Sequence, residues 1–431
     1  MQKKVEITSI AFGGKGIGRI DGKVVFVPFT APGDEVTVEI TSDKKGFSEG
    51  NLIEVIKPSG IRQAPPCKYY GVCGGCSFQH IDYKSQLEWK QKIFEETLKR
   101  IGKVEDVAFD EPAASPRILN YRSRARFHIE GMRWGFNEAR SHNIIDIDEC
   151  PILDPLINKA FIYLKNIFLE NRLEAKRPAG LFALELGIAD DDRVVASFHV
   201  EKDSGFPWGK LLADEEPVLK GFEVRVSPLK KDKGKRIFAE GDRNLSYEAF
   251  GIDYSADISV FSQVNRYQNR TLISKVMEYA GLSGTERVAD LFCGVGNLTL
   301  PLAGKAKKVT GIEASASAVA DGVENAKRNS IKNAEFMAED AHAWLKRNMK
   351  NLEKQGIDVV VLDPPRGGDP DVAVALSGIR PEKIIYVSCS PPTLSRDISV
   401  LTGCGYKVFR AGLFDMFPQT FHIESIVGLK L

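Results

Sequence analysis

The chain has 431 residues, with 59 Lys plus Arg against 58 Asp plus Glu and a formal net charge of +1. A length of that order accommodates about two to four domains, and an apolar share of 43% with a charged share of 27% excludes a wholly disordered or fibrous chain. No apolar run reaches the roughly 18 residues of a membrane-spanning helix, the start MQKKVEITSIAFGG lacks a secretory core, and near-neutral charge excludes a strongly basic, non-specific nucleic-acid binder while leaving local basic patches open.

Residues 1–57 read as short strands, with KVVFVPF, DEVTVEIT and EGNLIEVIKPS separated by GGKGIGRIDG and the turn Ala31-Pro32-Gly33-Asp34. Strands at this spacing predict a small β-barrel of the kind used on oligonucleotides, although a barrel without such a partner fits the same pattern. Pro58-Ser59-Gly60 reads as a linker. Just beyond it Cys67, Cys73 and Cys76 crowd together, while Cys150, Cys293, Cys389 and Cys404 are scattered. That is too uneven for a disulfide scaffold. In the reducing cytoplasm expected here, a thiol cluster holds metal and isolated thiols are inert or catalytic.

Residues 81–100 carry helical periodicity, with Leu87, Trp89, Ile93, Phe94 and Leu98 as an apolar stripe. In Tyr121–His128, strand alternation puts Arg122, Arg124 and Arg126 on one face, a row suited to phosphates or equally to a salt-bridged surface. From 118 to about 250 the pattern is mixed and mostly strand-like, and the charged stretch 229–236 reads as a solvated loop. Residues 160–250 yield nothing finer than a mixed domain.

From about 255 strands and helices alternate. RVADLF, KVTGIE, AEFMAED, IDVVVLD and KIIYVSC are short apolar runs with helical stretches such as ASAVADGVENAKRN between them, which predicts a doubly wound, mostly parallel sheet with its ligands beyond the carboxyl ends of the strands. The first run ends in Asp290-Leu291-Phe292-Cys293-Gly294-Val295-Gly296-Asn297, glycines that let backbone approach a ligand. The second ends in Glu313, placed for ribose hydroxyls, and the third near Asp340, within reach of an adenine edge. A single G-x-G without a third glycine or pyrophosphate cradle favours a nucleoside cofactor lacking phosphates, and S-adenosylmethionine fits. Packing glycines and surface carboxylates are the bland alternative.

The fourth run ends in Asp363-Pro364-Pro365-Arg366 and the fifth in Ser388-Cys389-Ser390. A thiol at a strand end points to covalent catalysis, set against the small buried apolar role that most lone cysteines play. Cys293 reads as a cofactor-loop residue, and Cys404 falls on the far side. Asp415, His422 and Glu424 lie within ten residues before the last strand, and any of them is a candidate general base.

The set DLFCGVGNLTL, VLDPPRGG, IIYVSCSPPT and FDMFPQTFHIES, with FSQVN at 261–265, resembles the RNA uracil-5-methyltransferase family. The N-terminal barrel is similar to the TRAM domain of many members, and C-x5-C-x2-C with a distant fourth cysteine is similar to their [4Fe-4S] site. The resemblance implies an α/β fold with a C-terminal Rossmann-like sheet (255–431), a TRAM-like barrel (1–58) and a central mixed α+β iron–sulfur, RNA-binding domain (59–254). It further implies Cys389 as nucleophile and Glu424 as proton-abstracting base. Gln263, Phe292, Glu313 and Asp363 match cofactor positions, with Asn297 and Asp340 as additions, and Cys67, Cys73, Cys76 and Cys150 match the cluster ligands. Zinc is the rival occupant on the residues alone.

The implied reaction is transfer of a methyl group from S-adenosyl-L-methionine to C5 of a uridine by a cytoplasmic monomer. Its substrate is 23S rRNA, with tRNA left open. A non-catalytic RNA-binding scaffold is the alternative of another class. One departure is visible: Ser390 stands where the family has Asn.

Overall fold

The computed structural model describes residues 2–169, 178–189, 193–209, 218–228 and 234–431. At its N-terminus β1 (Gln2–Ile10), β2 (Gly16–Ile20), β3 (Lys23–Val27), β4 (Glu35–Asp43) and β5 (Phe47–Lys57) close a barrel in the order β1-β2-β3-β5-β4. Alternate residues turn inward, so Val5, Ile7, Val25, Val27, Val36 and Val38 form its core. A Cβ on Gly18 would lie 2.2 Å from the Val5 side chain and one on Gly16 2.1 Å from that of Thr30, so β2 packs this closely only because both positions lack side chains.

The segment expected as a linker is fastened instead. The Ser59 amide donates to buried Asp34 (2.8 Å), and Arg62 grips the same carboxylate through Nε and Nη2, each at 2.7 Å. The barrel is thereby tied to the stretch that carries the first cysteines.

Helix α1 (Tyr83–Arg100) starts on Asp82, whose side chain accepts from the Ser85 amide, and ends on Lys99 and Arg100, a cap and a charge placement that favour a helix. Its buried face is rotated from the expected stripe. Ile93, Phe94 and Leu98 are buried, but so are Gln86 and Lys90, while Leu87 and Trp89 are half-buried.

Strands β6 (Arg124–Glu130), β7 (Arg133–Asn137) and β8 (Ile144–Asp146) precede helix α2 (Pro155–Leu169). Then come β9 (Leu181–Ile188), β10 (Val194–Val200), β11 (Leu219–Val226) and β12 (Lys235–Gly241). Among the described residues they form a seven-stranded sheet ordered β12-β11-β10-β9-β6-β7-β8. Phe161 of α2 stacks on Phe127 and Phe168 meets Phe198 edge-on, covering one face. Of the charged stretch read as a loop, residues 229–233 lie outside the described residues, and Lys235 and Arg236 open β12. The hairpin β13 (Asn244–Ala249)–β14 (Ile252–Asp257) leads into the last region.

There α3 (Arg266–Ala280), β15 (Arg287–Leu291), α4 (Thr299–Ala303), β16 (Lys308–Glu313), α5 (Ala316–Arg328), β17 (Ala334–Ala338) and α6 (Ala341–Gln355) alternate. They are followed by β18 (Val359–Leu362), α7 (Pro370–Ile379), β19 (Lys383–Ser388), α8 (Pro391–Gly403), β20 (Lys407–Phe414) and β21 (Glu424–Lys430). The sheet runs β17-β16-β15-β18-β19-β21-β20, parallel from β17 to β19, with β21 antiparallel to both its neighbours. Each apolar run singled out in the sequence from 287 onward contains one of these strands. Strand order reverses at β15, and beside such a switch point the helices diverge and leave a crevice above the carboxyl ends. Phe94 and Leu98 of α1 share a core with Leu394 and Ile398 of α8.

Candidate active site

The turn after β15 needs a backbone that most side chains avoid. Phe292, Gly294 and Gly296 all have positive φ (65°, 55° and 91°), and a Cβ on Gly296 would meet the Phe336 ring at 2.9 Å. Phe292, Cys293, Gly294, Val295 and Asn297 of the turn line the crevice. Glu313 braces the turn, accepting from the Gly294 amide (3.2 Å) and the Ser315 amide (2.7 Å). Gln263, Phe292, Asn297 and Asp363 line one cavity above the strand ends together with Tyr247, Asp290 and Cys293.

Asp340 stands apart. Its carboxylate caps α6 by accepting from the Ala343 amide (2.9 Å), it is exposed, and it is not among the residues lining that cavity. Asn297 is already held: Asn269 exchanges two hydrogen bonds with it (2.8 and 2.9 Å) and Tyr247 donates to it (3.2 Å). The sequence reading assigns Asp290, Tyr247 and Asn269 no role. Asp290 accepts from Thr299 (2.6 Å) while its second oxygen has no partner. Burial drives its carboxyl up to about 7, Thr299 opposing and the charge of Asp363 adding. Burial likewise raises Asp363 to about 6.

Sheet register brings a thiol and a carboxyl together. β19 and β21 pair antiparallel with Ser388 opposite Ser425, so Cys389 and Glu424 come together at the same end of adjacent strands. Burial pushes the Cys389 thiol up to about 11, the charges of Glu424 and Asp363 add to it, and Arg366 opposes. Glu424, only 4% exposed, is held well above the ordinary carboxylate range by burial and then by Asp363, again against Arg366. Ser390 starts α8 without a side-chain cap, its amide bonding the Ser388 hydroxyl (3.1 Å).

Of the three candidate bases, Asp415 and His422 are engaged elsewhere. Asp415, fully buried, takes the ammonium of Lys90 at 2.7 Å, and Lys90 also donates to the Phe417 carbonyl (3.1 Å). Gln86 and Gln419 bond reciprocally (3.1 and 3.0 Å), and the Ser77 and Phe78 amides donate to the Gln419 carbonyl (3.0 and 2.9 Å). The loop before β21 is therefore clamped by α1 and by the segment just after Cys76. His422 lies 3.5 Å from Arg366, and burial lowers its pKa to about 4, with Arg366, Lys90 and Arg122 adding. It is neutral.

The arginine row is not uniform: of the two roles left open for it, Arg124 takes the salt-bridged one. Arg124 pairs with Glu185 (2.6 Å) and donates to the Ile258 and Val260 carbonyls. The reason is strand order: β9 lies beside β6 with Arg126 opposite Glu185 and Arg124 two residues along.

Cys67, Cys73, Cys76 and Cys150 line a single cavity, together with barrel residues Gly13–Lys15 and with Arg122 and Arg126. None is in a disulfide. Burial raises Cys76 to about 12 and Cys150 to about 11, each thiol feeling the charge of the others. The loop is shaped by the Cys73 amide on the Tyr69 carbonyl (2.9 Å) and the Gly74 amide on the Asn137 carbonyl (3.0 Å), and Cys150 by its amide on Asn158 (2.9 Å). Among the described residues no group of three or more His, Cys, Asp or Glu is close enough to hold a metal ion.

The switch-point crevice, the glycine turn and the acids at the ends of β16 and β18 define an S-adenosylmethionine-dependent methyltransferase fold behind a five-stranded barrel. A solved structure titled tRNA (uracil-54, C5)-methyltransferase from Pyrococcus abyssi, in complex with S-adenosyl-L-homocysteine, matches 100% of both chains with a TM-score of 0.79 at 28% identity. The tRNA (Uracil-5-)-methyltransferase family matches residues 82–431, and the TRAM domain matches residues 2–53. Similar proteins include the 23S rRNA (uracil(1939)-C(5))-methyltransferase RlmD of Alcanivorax borkumensis, 33% identical over 97% of this chain and 94% of that one. An uncharacterized RNA methyltransferase of Caldanaerobacter subterraneus is 36% identical over 98% and 96%. The chain belongs to the RNA uracil-5-methyltransferase family.

Proposed function

We propose that this protein methylates C5 of a specific uridine in 23S rRNA, with Cys389 as nucleophile and Glu424 as base. The observation that carries the roles is the register of β19 and β21, which brings a thiol and a carboxyl together beside the cofactor crevice. When bound, S-adenosyl-L-methionine supplies an electrophilic methyl on a positively charged sulfur, with Gln263, Phe292, Asn297, Glu313 and Asp363 as its contacts and Asp340 as an outlying one.

C5 of uracil is too weak a nucleophile to take that methyl unaided. Addition of the Cys389 thiolate to C6 moves electron density to C5, which takes the methyl. The Glu424 carboxylate then removes the C5 proton, the electron pair returns, and the C6–S bond breaks to release the thiolate. Burial, with the charge of Asp363 added, holds both groups in their protonated forms at rest, so Arg366 and a cationic donor in the crevice favour the anions that the reaction uses. C6 is inaccessible in a stacked base, so the uridine is flipped out or taken from a loop.

The four cysteines would hold a [4Fe-4S] cluster. It would supply cross-linking rather than electrons, because the methyl transfer is redox-neutral and the loop after Cys76 leads straight into the amides that clamp Gln419. The chain divides functionally into a barrel (1–58), a central iron–sulfur and RNA-binding region (59–254) and a methyltransferase region (255–431), acting as a cytoplasmic monomer. A tRNA substrate is the second reading, favoured by the full-length likeness to the Pyrococcus abyssi structure. Labelled-methyl transfer to separately purified, unmodified 23S rRNA and tRNA, followed by nucleoside digestion, tests the proposal. Wild type yields 5-methyluridine from one of them and Cys389→Ala yields none; product from Cys389→Ala would refute the assignment.

A further inference from the structure

A second cavity, of about 360 Å3, lies on the charged face of the central sheet, and Phe261 and Ser262 line both it and the cofactor crevice. On its far side Arg122 and Arg126 line both this cavity and the one containing the four cysteines and the barrel edge. Four arginines and two glutamates line it, an excess of two positive charges. The glutamates are engaged: Glu185 with Arg124 (2.6 Å) and Glu223 with Arg225 (3.0 Å). Among the described residues Arg122 and Arg126 have no carboxylate partner, and the Arg122 guanidinium makes one bond, from Nε to the Arg124 carbonyl (3.0 Å). His199 is buried on the same wall with Nδ1 unpartnered. Phe261 is 69% exposed at the boundary between the two cavities.

Unpaired guanidiniums on a half-buried strand are suited to a phosphate, an exposed ring to a base face, and the volume to a ligand of roughly nucleotide size. We propose that this cavity takes the ribonucleotide next to the target uridine, its phosphate on Arg122 and Arg126 and its base within reach of Phe261. The identity of the strand rests on the function proposed above. The single strand then runs from the barrel over the two arginines and into the crevice.

The test uses the full-length protein and the shortest oligoribonucleotide, cut from whichever RNA the wild type labels, that it still methylates. Single methylphosphonate linkages, each lacking one phosphate charge, are moved along the positions flanking the target. In the wild type one linkage adjacent to the uridine weakens binding about tenfold. Arg126→Gln weakens the unmodified oligonucleotide similarly, lowers the salt slope by about 0.7 and becomes indifferent to that linkage, while Arg126→Lys recovers most of the affinity. S-adenosylmethionine binding by Arg126→Gln stays at the wild-type value, which marks an intact fold. An unchanged salt slope, or losses that simply add for the variant and the linkage, would overturn the site while leaving the methyltransferase assignment standing. A wild type that labels neither rRNA nor tRNA would overturn the function and this ligand together.

Discussion

The two seven-stranded sheets carry their polar groups in opposite ways. In the C-terminal sheet the polar groups sit where strands end: Glu313, Asp363 and Cys389 each terminate an apolar run, Asp363 lines the crevice, Glu313 braces the glycine turn beside it, and Cys389 feels the charge of Asp363. In the central sheet the charges sit on a face. Glu223 is fully buried and is met by Arg225, Arg236 and Arg243 at 3.0, 3.7 and 3.5 Å, while Arg124 faces Glu185. In and around that crevice burial raises the pKa values of Asp290, Asp363, Cys389 and Glu424 and favours their neutral forms. A sheet face pairs its charges off, apart from the two arginines that border the second cavity. The difference is between groups held for chemistry and groups held for structure.

The sharpest break in that contrast is at the strand ends. Glu424→Gln removes the proposed base and is expected to lower turnover by about 10²–10⁴-fold, with binding of S-adenosylmethionine retained, as a transfer assay and calorimetry would read. Next in size is the clamp that joins α1 to the reactive loop. Lys90→Met leaves Asp415 buried without its cation and costs about 3–5 kcal/mol of stability, measured by denaturant unfolding. The double change Lys90→Met/Asp415→Leu recovers most of the loss, because both charges are then gone.

A smaller effect follows from protonation. Binding a cation favours the ionised forms of Asp363 (about 6) and Asp290 (about 7), so affinity for S-adenosylmethionine rises as pH increases from 5 through 7 and levels off above. The uncharged sulfur of S-adenosylhomocysteine gives a flatter profile, and Asp290→Asn flattens the upper part of the rise. Parallel profiles for the two ligands would show that these carboxyls are insensitive to the sulfonium. The smallest change is at Asp340, where Ala removes a helix cap and costs about 1 kcal/mol. Asn keeps the cap, so a rise in the KM for S-adenosylmethionine with Asp340→Asn would assign that carboxylate to the cofactor after all.

The same contrast explains what could be read from the sequence. Parallel strands buried on both faces are short apolar runs with abrupt polar ends, so the strands of the catalytic sheet and most residues of its crevice were legible one by one. Lys90 was not, because its partner Asp415 is 325 residues away and a lysine on a helix ordinarily faces solvent. Arg124 looked like its neighbours Arg122 and Arg126, since only the placement of β9 beside β6 brings Glu185 to it. Helix α2 lay in the stretch read only as a mixed domain, although Ile157, Ala160, Phe161, Leu164 and Phe168 recur at helical spacing and are buried. Asp290 lay inside a strand run and carried no outward sign of its unpartnered oxygen.

The central claim is that Cys389 bonds to C6 of the base and that Glu424 ends that bond by taking the C5 proton. Denaturing electrophoresis and mass analysis of Glu424→Gln, incubated with labelled S-adenosylmethionine and the substrate RNA, test it most directly. The expected result is a stable protein–RNA adduct that carries the labelled methyl and maps to Cys389. Free 5-methyluridine produced at the wild-type rate, with no adduct, would contradict it.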